Sequence, residues 1–126
     1  MKGCLYTAVI IAMSAAIGIY GSSPQPTWDQ AKLKAIGAES RLLMATHPIK
    51  PPKEWAKVSE GQWPPAIASL KPFDVTVHQW GVHIGTEPYF DGGWGYGVPR
   101  NDVARKMLKG WCYSDAGQGV LWHGPC

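Results

Sequence analysis

The sequence predicts an α+β domain: a small antiparallel sheet of three or four strands packed against one amphipathic helix, preceded by an N-terminal hydrophobic helix. Three observations carry this expectation. Val75, Val77, Val82 and Ile84 alternate with polar or small residues, the period-two pattern of half-buried strands. Between Trp28 and Ala45 the apolar residues recur at helical spacing instead. Seven tryptophans, 15 glycines and 11 prolines among 126 residues are the mix of a turn-rich, β-containing domain rather than of a helical bundle.

The first segment, MKGCLYTAVIIAMSAAIGIYGSS, sets one lysine before an uncharged apolar run over residues 5–20. Ala16-Ile17-Gly18 offers small residues for signal-peptide cleavage, while the run is slightly short for a spanning helix. Cleaved signal and membrane anchor both stay open, and both deliver the rest of the chain to an exported compartment, the periplasm. If uncleaved, residues 5–20 hold the chain at the inner membrane. A lipoprotein signal would place its cysteine after the apolar run, and Cys4 stands before it. The domain reading is therefore 1–21 signal peptide or anchor, 22–27 linker and 28–126 one small domain, a length that supports one modest core.

Export frames the cysteines. Cys112 and Cys126 form an even pair in an oxidising compartment and read as a disulfide. In the chain-entropy model such a loop stabilises the fold by roughly 3 kcal/mol.

The remaining elements follow in order. Thr27 reads as a helix N-cap with Gln30 completing a capping box. Trp28, Ala31, Ala35, Ala38, Leu42 and Ala45 then form the stripe expected to dock on the core. HPIKPPK, residues 47–53, is an extended connector because its prolines lack donors and fix φ. Glu54 to Gln62 is read as a short strand or turn, and Pro64-Pro65 opens a short helix that Pro72 closes. Strands are expected near 73–78, 81–86, 94–98 and 119–123. Folding the first two at Gln79-Trp80 pairs Val77 with Val82, Val75 with Ile84 and Thr76 with His83, which keeps both apolar pairs on one face. Asn101 caps a helix to Lys109 with Val103 and Met107 turned inward and Gly110 as its stop.

Several chemistries can be weighed from these residues. That hairpin register puts Asp74, Thr76, His78 and His83 on one outward face. Two imidazoles and a carboxylate are a candidate first shell for zinc, although polar residues on a solvent face need no ligand. GGWGYG lacks the Lys-Ser/Thr of a phosphate loop. Tyr89, Phe90, Trp94 and Tyr96, with Asp91 beside them, form a candidate surface for stacking on sugar rings. The same aromatics, with Trp63, Trp80, Trp111 and Trp122, also suffice to fill a core of this size. No paired carboxylates, G-x-S-x-G or S-x-x-K point to catalysis, and no cofactor is implied. The formal charge of +3 is mild and dispersed, without the basic run that tracks phosphates, so nucleic acid is not an expected partner.

The runs WPPAIASLKPFDVTVHQWGVHI, YFDGGWGYGVPR and CYSDAGQGVLWHGPC resemble small exported envelope proteins of Gram-negative bacteria. In that group a short helix ending L-x-P leads into paired strands of the form V-x-V…G-V-x-I. The resemblance implies an architecture and carries no catalytic residue. Three functions are expected from the whole reading. The first is a non-catalytic module that binds another envelope or exported protein through loops 86–93 and 99–118, as inhibitors and immunity proteins do. The second is a cell-wall carbohydrate-binding domain using exposed aromatics, and the third a metal-dependent enzyme at Asp74, His78 and His83.

Overall fold

The computed structural model describes residues 23–90 and 92–126; the expected N-terminal hydrophobic helix lies outside them. The described chain runs α1 (Gln30–Thr46), β1 (Trp55–Lys57), a 3-10 turn (Glu60–Gln62), α2 (Pro65–Ser69), β2 (Asp74–His78), β3 (Gly81–Tyr89), β4 (Gly92–Pro99), α3 (Asp102–Lys109), β5 (Tyr113–Gly117) and β6 (Val120–His123). All pairings are antiparallel, in the order β1-β2-β3-β4-β6-β5. Among the described residues no helix is long and apolar enough to cross a membrane.

The sheet therefore has six strands rather than the expected three or four, and the two short helices expected at Pro64-Pro65 and after Asn101 stand beside α1 as α2 and α3. The two strands beyond the expected count are its edges. β1, inside the stretch read as a short strand or turn, is only the three residues WAK, too short to display an alternation, and β5 reads YSDAG, polar because an edge strand faces water. The β5–β6 turn is built on Gln118 and Gly119, both at positive φ (55° and 77°), the geometry favoured in two-residue hairpins. The β2–β3 hairpin has the register that its alternation demands, with Val75 opposite Ile84, Thr76 opposite His83 and Val77 opposite Val82.

Helix α1 packs its length on one face of the sheet, but not through the expected stripe. Leu33, Ile36, Gly37, Ser40, Leu43 and Met44 are buried, whereas Trp28 and Leu42 are exposed. The alanines at helical spacing suggested the wrong face because they remove so little apolar area when buried. The larger Leu33, Ile36 and Leu43 decide the rotation. Asp29, not Thr27, is the N-cap, its carboxylate accepting from the amides of Ala31 (3.0 Å) and Lys32 (3.2 Å). Val75, Val77, Val82, Ile84, Tyr96, Val98 and Val120 meet α1 from the sheet side. Glu39 ties α2 beneath it by accepting from the amides of Ala66 (3.0 Å) and Ile67 (2.9 Å), two donors that the start of a helix leaves free.

Cys112 and Cys126 lie at disulfide bonding distance, with Cα atoms 5.8 Å apart. The bridge holds Cys126 beside the start of β5.

Candidate functional site

The face of the sheet turned away from α1 carries most of the polar and aromatic chemistry. Its register sets Lys57, Thr76, His83, Gly97, Leu121 and Asp115 side by side across all six strands. The neighbouring row is Asp74, Gly85, Gly95, His123 and Tyr113. β4 thus contributes only Gly95 and Gly97 to the middle of this face. That bare strip explains the GWGYG run: His83 on β3 and His123 on β6 reach each other across the intervening strand, Nε2 to Nε2 at 2.9 Å. Tyr113 packs its ring over the same strip. A Cβ at Gly97 would come within 2.7 Å of its ring.

A cleft of about 480 Å³ opens above this floor, lined by Trp55, Lys57, Asp74, Thr76, His78, Trp80, His83 and Tyr113. Trp80 sits in the β2–β3 turn and stacks on His78 with ring centroids 4.9 Å apart and planes at 14°. Arg100 clamps that turn, donating from Nε to the Gln79 carbonyl (3.0 Å) and from its terminal nitrogen to the His78 carbonyl (3.3 Å), while its amide donates to the Trp80 carbonyl (2.7 Å). Trp80 is therefore a fixed wall rather than a loose turn residue.

Burial keeps the imidazoles neutral. Desolvation, with His123 and His78 as further unfavourable neighbours, pushes His83 down to about 4. Desolvation also lowers His78, against the opposing pull of Asp74, and lowers His123 despite backbone contacts at Gly93 and Gly124. Burial raises the Tyr113 hydroxyl to about 12, so it stays protonated. Neutral imidazole both donates and accepts a hydrogen bond, and so does the phenol.

Asp74, His78 and His83, the expected metal ligands, do share this face, with the His78 and His83 rings 6.5 Å apart. Their polar atoms do not converge on one point. His78 Nε2 is engaged by the Thr76 hydroxyl at 2.8 Å, and Asp74 stands 3.9 Å from His83 Nδ1. The His83 and His123 centroids are 5.1 Å apart, a separation taken up by the 2.9 Å contact and the two ring radii. The rings meet head to head and share a proton instead of converging on a third point. Among the described residues no group of three or more His, Cys, Asp or Glu could hold a metal ion.

The expected aromatic surface divides. Tyr96 is buried at 3% exposure, its hydroxyl accepting from the Thr27 amide at 2.8 Å. Trp94 is half-buried beneath Tyr89. Phe90 is 97% exposed at the β3–β4 tip, and Asp91 lies outside the described residues.

A second surface adjoins the cleft. Helix α3, capped by the Asn101 side chain accepting from the Ala104 amide at 2.9 Å, buries Ala104 and Leu108. Val103 and Met107, expected to point inward, are 79% and 37% exposed, and Trp111 continues their line at 57%. Positions 103/107 and 104/108 form adjacent stripes of equal period, and periodicity cannot choose between them. The Asn101 cap and the return into β5 set the rotation. Val103, Met107 and Trp111 border a groove of about 670 Å³ that ends on Trp80. On the far side of the helix Asp115 holds both Arg105 and Lys109, while Lys106 has no ion-pair partner among the described residues.

Sequence reasoning did not find Trp55, Lys57, Tyr113 or His123 as part of this face, because they come from the short edge strands and the last strand. The signal available was the pair of glycines in β4, whose bare side implies neighbours that need the room. Comparisons with family models, with known proteins and with solved structures return no match, so the reading of both surfaces stands on their geometry.

Proposed function

We propose that this protein is an exported, non-catalytic binding module of the cell envelope that docks another envelope protein against the outward stripe of α3. One observation carries the reading: Val103 and Met107 lie four apart on a helix whose inner face is already satisfied by Ala104 and Leu108, and exposed Trp111 continues their line just past its end. Apolar side chains at such positions leave area in water that the fold does not cover, most of all at Val103 and Trp111, and a contiguous exposed apolar patch marks an interaction surface. The groove beside the stripe and the indole wall of Trp80 give a partner's apolar anchor a place to sit. Tryptophan is among the residues that dominate binding energy at interface centres. Lys106 favours an acidic rim on the partner. The Thr76–His78 contact resembles an activated hydroxyl. However, Thr76 is buried and no hydrogen bond orients His78 Nδ1 among the described residues, which argues for binding over catalysis.

The test is capture of a tagged protein from its native envelope without reductant. A single stoichiometric partner is expected with wild type and with Phe90→Ser. Val103→Asp combined with Met107→Asp should lose it while remaining folded, with a modest drop in melting temperature from the partly covered Met107. Retention of the partner by the double variant would overturn the reading. If the partner is an enzyme, an inhibitor role predicts that its activity falls in one-to-one proportion with added protein.

A further inference from the structure

We infer that the histidine-floored cleft beside this surface is a separate site for a saccharide, taking one or two sugar rings between Trp55, Trp80 and Tyr113. The cleft shares His78 and Trp80 with the neighbouring groove but none of the α3 stripe. The cleft, at about 480 Å³, falls within the range of small-ligand sites. Its walls are aromatic: Trp55 is 54% exposed on the edge strand and contributes little to the core, and Trp80 is held by its stack on His78 and by the Arg100 clamp. Trp80 and Tyr113 stand edge to face at 6.3 Å.

The floor is polar and varied. Asp74 only accepts and Lys57 only donates, while His78 and His83, whose Nε2 atoms are engaged by Thr76 and His123, each keep Nδ1 for one further bond, as donor or acceptor according to tautomer. Burial favours the neutral form at both histidines. This mixture discriminates among ligand classes. A phosphate or polyanion would meet one lysine beside one aspartate, too little positive charge to hold it. A purely apolar ligand would strip water from Asp74 and His83 and return no hydrogen bond, a cost of kilocalories per group. A polyhydroxylated ring satisfies both demands: its hydroxyls donate to Asp74 and exchange bonds with the imidazoles, while its C–H face lies on indole. The bare β4 strip helps here as well, because Gly97 leaves the room over it that the Tyr113 ring occupies.

The experiment is titration calorimetry, with tryptophan emission followed in parallel, using chitotetraose and the peptidoglycan disaccharide as probes. Proteins are wild type, Trp55→Ala, Asp74→Asn, and the Val103→Asp/Met107→Asp double variant as the control for the other surface. Saturable binding is expected in wild type and in the double variant, with at least tenfold loss in Trp55→Ala and Asp74→Asn. Trp55 and Asp74 lie at the exposed side of the sheet, and an unchanged melting temperature shows that these variants still fold. Two results would overturn the site. One is absence of saturation by either probe up to about 10 mM, where even a one-ring site registers. The other is binding that Trp55→Ala and Asp74→Asn leave intact.

Discussion

At the scale of single residues, His83 links the cleft to pH. Its imidazole titrates near 6.5 in the unfolded chain and is pushed down to about 4 in the folded one. Between those values the unfolded chain binds more protons, so stability rises with pH. The contribution is fully present above about pH 6.5 and is lost as pH falls through about 4. Each pH unit between the two values is worth about 1.4 kcal/mol, which puts the total on the order of 3 kcal/mol. Chemical denaturation of wild type at pH 7 and pH 4.5 should show this loss, and His83→Gln should flatten much of the slope. A slope unchanged by His83→Gln would show that the buried imidazole is not its source. Gly97 is the second decisive residue. An added methyl would meet the Tyr113 ring at 2.7 Å and displace it from its 4.7 Å contact with His123. Gly97→Ala should cost about 1–3 kcal/mol, as overpacking does, with a changed near-ultraviolet dichroism and weaker saccharide binding.

At the scale of elements, the Cys112–Cys126 bridge closes a loop with sequence separation 14. Removing it in Cys112→Ser/Cys126→Ser should lower stability by roughly 3 kcal/mol, measurable as an earlier denaturant midpoint, and should loosen β5 with Tyr113 on it. Equal midpoints with and without reductant would contradict a structural role for the bridge. The central hairpin is legible in the sequence because four β-branched residues alternate there, and a one-residue slip would turn all four to water. The same logic sets Asp74, Thr76, His78 and His83 on one face from their spacing alone. It fails at β1 and β5, where three residues or a polar edge carry no period. It also fails for the rotation of α1 and α3, where two apolar stripes compete and tertiary packing decides. That second failure matters most for function. An inward-facing Val103 and Met107, as periodicity suggests, would hide this stripe; the folded helix presents it.

At the scale of the whole molecule, the sheet separates two tasks. One face is sealed by α1 and holds nearly all the large aliphatic side chains, so it supplies the stability. The other face is only partly covered, by α3, and is left with aromatic walls, neutral imidazoles and an apolar stripe. Placing the chemistry on a rigid sheet rather than on long loops fixes it without extra contacts. An exported setting fits the bridge and the apolar run at residues 5–20, and intact mass of the protein from its native envelope distinguishes a removed leader from a retained anchor. The most direct test of partner docking on α3 is photo-cross-linking in cells from a benzophenone side chain placed at Met107, with Phe90 as the control position. One discrete, stoichiometric adduct is expected from position 107 and none of comparable yield from position 90. Absence of any adduct at 107, or the same adducts from both positions, would contradict docking on this stripe.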